Sequence, residues 1–151
     1  MNLEKTLLKI GNLKVDEEME DYEVSEFFDE IREKLTDINL LTELQKEQLI
    51  KSLFGFLKAQ DPEMGENFSF IHFIENIDNP TYEIYYPELL KFNLENGTIT
   101  STLLLNRFIN SLKGNEWKKC VNLIKSISDN NNYTEYVRKE ALSYYKHQMK
   151  K

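Results

Sequence analysis

The chain contains very few of the residues that cross-link a fold or build a membrane span. Its one cysteine, Cys120, cannot form an internal disulfide, which is typical of proteins in a reducing cytosol. No window approaches the roughly eighteen uninterrupted apolar residues of a transmembrane helix. The first residues form neither the basic nor the apolar region of a signal peptide. The sequence therefore predicts a cytoplasmic protein that does not bind membranes.

Glycine and proline are also scarce, and this favours helices. Five glycines and three prolines in 151 residues provide few obligate turns for a many-stranded sandwich. The length suits one domain, 1–151, and apolar residues recur at helical spacing from Val24 onward. We expect an all-α fold of antiparallel helical hairpins, HEAT-like or arranged as an irregular bundle, with about 35 residues in each hairpin. The predicted pairs are 42–60 with 67–77, 80–96 with 100–113, and 115–128 with 134–149.

Local signals predict how some of these helices begin. Thr42 followed by Gln45 has the spacing of a capping box. Asn79-Pro80 is typical of an N-cap and a first helical residue. Pro87 then falls inside the same predicted helix, where it should cause a kink or a break near Tyr86 because proline has no backbone donor.

Residues able to catalyse a reaction are rare. The only two histidines are His72 and His147, and His147 lies among solvated lysines near the C-terminus. Cys120 has no histidine partner, and its helical position indicates a small apolar filler. His72 and Glu75 share one helix face and could bind a metal, but the second such pair of a di-iron bundle is missing. We therefore expect a structural histidine and a protein that is not an enzyme and holds no metal or cofactor.

Negative charge is concentrated in one segment. Between Asp16 and Glu33 there are ten acidic residues and one base, Arg32, so this segment carries −9 and the rest of the chain about +2. Such a field repels nucleic acid and anionic lipid and attracts a basic protein partner. The alternative is a disordered, solubilising stretch, since about 16–23 lacks apolar periodicity and is predicted to be partly loop. The residues predicted to bind a partner are Asp16, Glu17, Glu18, Glu20, Asp21 and Glu23.

Tyrosines offer a second candidate binding surface. Tyr82, Tyr85 and Tyr86 lie close together in the chain, and tyrosine is a frequent anchor at protein interfaces. The alternative is that these rings pack against the core with their hydroxyls at the surface. The basic residues of the C-terminal half are dispersed, which argues against a nucleic-acid interface.

Two short motifs lie some thirty residues apart in the chain. The first is His72-Phe73-Ile74-Glu75, and the second is Arg107-Phe108-Ile109-Asn110-Ser111. Together they resemble a family of small helical immunity proteins from bacterial polymorphic-toxin systems. The likeness, which includes the helix between them, covers about 45 of the 151 residues. It implies a protein that binds and neutralises a cognate toxin by occlusion, without catalysis. A helical-repeat adaptor that joins two cellular proteins is the alternative function.

The motif positions are His72, Glu75, Arg107 and Asn110. Charges near so apolar a helix must be paired, so we expect a buried network in which Arg107 pairs with Glu75 and Asn110 caps or bridges helices. Direct contact of these residues with the toxin is the alternative.

Overall fold

The computed structural model describes residues 1–35 and 37–151, and this part of the chain is helical without any strand. The all-α class is therefore confirmed. None of the helices in the described residues is both long enough and apolar enough to cross a membrane. The described residues form a short 3₁₀ helix (Ile38–Leu40) and eight α-helices: α1 (Leu3–Asn12), α2 (Asp21–Lys34), α3 (Glu43–Ala59), α4 (Phe68–Asn76), α5 (Tyr85–Glu95), α6 (Ile99–Ile109), α7 (Gly114–Asp129) and α8 (Glu135–Met149).

Some predicted helix starts are confirmed and one is corrected. The capping box of α3 is present, because the Thr42 hydroxyl accepts a hydrogen bond from the Gln45 amide at 3.1 Å and the Gln45 side chain accepts one from the Thr42 amide at 2.9 Å. Helix α5 does not begin at Asn79-Pro80 but at Tyr85. Pro87 therefore lies in the first turn of α5, where backbone N–H groups have no intrahelical acceptor, so no kink is required.

The described residues form two compact units. We call Met1–Gln60 with Asn67–Glu88 the N-terminal unit, and Asp61–Glu66 with Leu89–Lys151 the C-terminal unit. The expectation of a single domain stays a prediction.

The N-terminal unit is an interleaved helical bundle around an aromatic core. Its closest packing joins α1 to α3 and α2 to α4, so 42–60 and 67–77 do not form the dominant hairpin that was expected. The Phe28 ring on α2 is buried and meets four other phenylalanines, the first of which is its neighbour Phe27 at 5.0 Å. Its centroid lies 5.3 Å from that of Phe56, 5.1 Å from Phe70 and 6.3 Å from Phe73, all edge-to-face. Such aromatic pairs add to the free energy gained by burial.

The C-terminal unit contains the predicted last hairpin. Helices α7 and α8 pack closely and are joined by the short turn 130–134, as in an antiparallel helical hairpin, and α6 packs against both. Apolar side chains at helical spacing line their shared faces. The fully buried ones are Leu104, Leu105 and Ile109 on α6, Cys120 and Ile124 on α7, and Val137 and Ala141 on α8.

Candidate functional site

The acidic residues of 16–26 all lie on the outside of the N-terminal unit. The loop runs to Glu20, and α2 begins at Asp21, earlier than the apolar periodicity from Val24 suggests. Acids at the start of a helix are favourable because the helix dipole is positive there. We define the acidic surface as the exposed residues Asp16, Glu17, Glu18, Glu20, Asp21, Glu23 and Glu26.

Hydrogen bonds give the acidic loop a defined conformation. Asp16 Oδ1 accepts from the backbone amides of Glu18 and Met19, each at 3.0 Å, which closes a turn. The preceding residue, Val15, donates its backbone N–H to Oε1 of the buried Gln60 at 2.9 Å. The loop is therefore fastened to α3 at one end and continues into a packed helix at the other.

A buried asparagine ties the first turn of α2 to α4. Asn67 Nδ2 donates to Asp21 Oδ1 and to Ser25 Oγ, each at 2.9 Å, while its own Oδ1 accepts from the Phe70 amide at 3.0 Å. Sequence reasoning missed this residue. The available signal was an asparagine one position before an apolar helix, where N-caps are common.

The negative charge is strongest in the first half of the segment. Further along α2, Lys34 Nζ lies 2.7 Å from Glu30 Oε1, and Arg32 Nη2 lies 3.4 Å from Asp29 Oδ1. The hydrogen bond from Lys34 lowers the pKa of the Glu30 carboxyl. Within the part of the chain that the structure describes, no ion pair involves Glu17, Glu18 or Glu26.

An exposed aromatic residue lies within the acidic surface. Tyr22 is 61% exposed on the first turn of α2, between Asp21 and Glu23. Aromatic side chains with a charged rim are frequent anchors in protein interfaces. Sequence reasoning missed Tyr22 because both of its neighbours are acidic, so it does not belong to a set of apolar residues at helical spacing.

The tyrosine cluster is divided between core and surface. Tyr85 is only 1% exposed, and its ring stacks on Phe54 with centroids 6.2 Å apart, so it belongs to the core and offers a partner no surface. Tyr82 and Tyr86 are half-buried. Tyr82 has a positive φ of 56°, which is uncommon for a bulky residue, and its hydroxyl donates to Asn79 Oδ1 at 3.1 Å.

A buried carboxylate organises the turn that carries these tyrosines. Asp78 Oδ2 accepts from the backbone amides of Ile84 at 2.6 Å and Tyr85 at 3.0 Å. The carboxylate thus satisfies two N–H groups at the start of α5, where a negative charge also suits the helix dipole. It explains why α5 begins at Tyr85 and not at Pro80.

The motif residues lie in different units. His72 is exposed and Glu75 half-buried on α4 of the N-terminal unit, whereas Arg107 is half-buried and Asn110 exposed at the end of α6 in the C-terminal unit. The network was expected to be buried, but Glu75 and Arg107 are only half-buried and Asn110 is exposed. His72 lies on the outer face of α4, where its ring is 5.9 Å from that of the exposed Phe68. The Glu75–Arg107 ion pair stays a prediction.

Asn110 bridges two helices, and its partner is Gln148 on α8, a residue outside the two motifs. Gln148 on α8 is 1% exposed, and its Nε2 donates to Asn110 Oδ1 at 2.9 Å and to Asn106 Oδ1 at 3.0 Å. Its Oε1 accepts from Trp117 Nε1 on α7 at 3.4 Å. One side chain therefore links three helices of the C-terminal unit. The sequence could have indicated that Gln148 is buried, because it falls seven residues after Ala141 and therefore on the same inner face of α8.

Cys120 and His147 were the other two candidates for catalysis in the sequence. Cys120 is fully buried, and His147 is exposed. Within residues 1–35 and 37–151, no group of three or more His, Cys, Asp or Glu side chains is placed to hold a metal ion.

Compared with known proteins, the chain matches no family model, no curated protein and no solved structure. The resemblance to immunity proteins therefore rests on the two short motifs alone. The geometry itself provides an acidic, aromatic-bearing surface on a packed helical unit.

Proposed function

We propose that the protein is a non-catalytic binding protein that neutralises a cognate bacterial toxin by covering a basic surface of that toxin. The observation that carries this proposal is the acidic surface, whose side chains are exposed while its backbone is held by Asp16, Gln60 and Asn67. The backbone that carries these carboxylates is therefore ordered before a partner binds, which reduces the conformational entropy lost on binding.

The chemistry of the surface favours a basic protein over other partners. Dense carboxylates repel nucleic acid and phospholipid head groups, and they attract lysines and arginines such as those lining the substrate groove of a nuclease. Exposed Tyr22 adds an anchor that a purely solubilising stretch does not need. The interleaved packing of α1 to α4 differs from a stack of hairpins, so it gives the adaptor alternative no support.

A variant that removes three negative charges from the acidic surface tests the proposal without disturbing the loop. Asp16, Asp21 and Glu23 accept hydrogen bonds that shape the segment, so the variant leaves them unchanged and combines Glu17→Gln, Glu18→Gln and Glu26→Gln. A matched control combines Glu4→Gln, Glu63→Gln and Glu95→Gln, which removes the same charge from exposed positions outside the acidic surface.

Both variants are produced alongside the toxin encoded by the neighbouring reading frame, and growth and association rate are measured. We expect the acidic-surface variant to associate about tenfold more slowly at low salt and to protect less, because electrostatic attraction accelerates the encounter. The control should match the natural protein. Unchanged kinetics and full protection by the acidic-surface variant would remove this surface from the interface. Failure of the natural protein to bind or protect would overturn the immunity function itself.

A further inference from the structure

A second concave surface lies elsewhere on the N-terminal unit, between the start of α3 and the turn that leads into α5. Its cavity volume is about 430 Å³, within the range of sites that hold small ligands or a few side chains. An adjoining groove of about 470 Å³ shares Glu43, Glu83 and Ile84 with it. The first groove is lined by Glu43, Leu44, Glu47, Glu83, Ile84, Pro87 and Glu88.

The groove combines an apolar lining with an acidic rim. Leu44, Ile84 and Pro87 supply the apolar part, and Leu44 is 64% exposed although leucine is usually buried. An exposed leucine at the mouth of a concave site provides apolar area that a partner can cover.

Only part of the rim's charge is balanced from within the protein. Lys51 Nζ lies 3.1 Å from Glu47 Oε1 and 3.8 Å from Glu88 Oε1, and Lys46 lines the adjoining groove. Among the described residues, no ion pair involves Glu43 or Glu83. Within that part of the chain, two carboxylates beside an exposed leucine therefore take part in no ion pair.

One wall of the groove is held in shape by Asp78. Its carboxylate accepts the backbone N–H groups of Ile84 and Tyr85, and Tyr85 is anchored in the core against Phe54. The wall that carries Glu83, Ile84 and Pro87 is thus tied to buried groups, so a ligand need not order it on binding.

We propose that this groove binds a segment of a protein partner in which a lysine or arginine lies next to an aliphatic side chain. The aliphatic group would cover Leu44 and Ile84, and the cation would reach Glu43 and Glu83. Lysine and arginine suit both parts, since their alkyl stems pack on apolar surface while their charged ends reach a polar rim. The proposal concerns a second contact area and holds whether or not the acidic surface binds a toxin.

Isotope-labelled protein titrated with short capped peptides tests this inference by NMR. The probe is a pentapeptide of sequence Leu-Lys-Leu-Arg-Leu, compared with Leu-Glu-Leu-Glu-Leu for charge and Gly-Lys-Gly-Arg-Gly for the apolar part. We expect saturable shifts of the amides of 43–47, 83–86 and 88 with the first peptide only. Equal shifts with the acidic peptide would overturn the proposal. It would also be overturned by shifts confined to residues 16–26, because charge alone would then account for binding.

Two variants test the two halves of the groove. Combining Glu43→Gln with Glu83→Gln should weaken binding of the first peptide about two- to tenfold, as expected for losing two exposed ion pairs. Leu44→Ser should weaken it without changing the protein's charge. A control that combines Glu63→Gln with Glu95→Gln should bind as the natural protein does. All the substituted positions are exposed, so the variants should keep the fold. The amide spectrum of each variant checks this directly. Unchanged affinity in both groove variants would contradict the proposed site.

Discussion

The two units differ most in charge. The N-terminal unit contains 18 acidic and 8 basic residues, a net charge of −10, whereas the C-terminal unit contains 8 acidic and 11 basic residues, a net charge of +3. The overall charge of −7 therefore describes neither unit. Both candidate binding surfaces lie on the N-terminal unit, whose negative charge favours the approach of basic molecules.

The two units also hold their helices together differently. In the N-terminal unit, Phe28 and the rings around it fill the space between helices, and Asn67 makes a polar link near the surface. In the C-terminal unit, the buried Gln148 joins three helices by hydrogen bonds. Repulsion among the acids of the N-terminal unit destabilises it, and an aromatic core can offset that cost because large rings gain much free energy on burial.

The largest expected effect comes from removing the centre of the aromatic core. Phe28→Ala should lower the free energy of unfolding by about 3–5 kcal/mol, because it leaves a cavity beside the buried rings of Phe56, Phe70 and Phe73. The measurement is urea denaturation followed by circular dichroism, with hydrogen exchange of α2 and α4 amides as the local report. Tyr22→Ala on the same helix is the control and should change stability by less than about 0.5 kcal/mol, since Tyr22 is exposed. Similar losses in both variants would contradict the assignment of Phe28 to the core.

A smaller effect is expected from breaking the polar network of the C-terminal unit. Gln148→Ala removes the hydrogen-bond partner of Asn106 Oδ1 and Trp117 Nε1, and it should cost about 1–3 kcal/mol because these polar groups are left unbonded. Asn110 Oδ1 keeps a donor, since Lys151 Nζ lies 2.7 Å away. The chain has one tryptophan, so Trp117 fluorescence during urea denaturation reports on this unit directly. His147→Ala, at the exposed neighbouring position, should leave the midpoint unchanged. If Gln148→Ala behaves like His147→Ala, the hydrogen bonds contribute little to stability.

The sequence predicted features that depend on neighbouring residues better than features that depend on contacts between distant segments. Helix class, the capping box at Thr42 and the α7–α8 hairpin depend on neighbours in sequence, and these were predictable. The interleaved packing of α1 to α4 and the choice of Tyr85 as a core residue depend on contacts between distant segments, and periodicity does not encode them. Asp78 shifted the start of α5 by satisfying amides six and seven residues ahead, which no local capping rule contains.

The candidate site was predictable in composition and not in detail. A count of charges located the acidic segment at once. It could not separate the acids that shape the loop, such as Asp16 and Glu23, from those that only present charge, such as Glu17 and Glu18, because that distinction lies in hydrogen bonds. The groove was not predicted, since its lining comes from two segments about 40 residues apart in the chain.

The smallest expected effect is a pH dependence that belongs to the C-terminal unit. Burial raises the pKa of the Tyr144 hydroxyl to about 12, with the negative charges of Glu140 and Glu66 adding to the shift. In the unfolded chain a tyrosine has a pKa of about 10. Between these two values the folded state binds more protons than the unfolded state, so the free energy of unfolding decreases as pH rises through this window. Below about pH 9 the hydroxyl is protonated in both states and contributes no pH dependence.

Tyr144→Phe isolates this contribution from the lysines that also titrate at high pH. We expect its urea midpoint to fall less steeply than that of the natural protein between about pH 10 and about pH 12, and to run parallel to it below about pH 9. Tyr22→Phe, at the exposed position on the acidic surface, is the matched control and should keep the steep decline. Trp117 fluorescence is again the readout, because Trp117 and Tyr144 both lie in the C-terminal unit. Parallel curves for Tyr144→Phe and the natural protein across the whole range would mean that burial of this hydroxyl does not couple to folding.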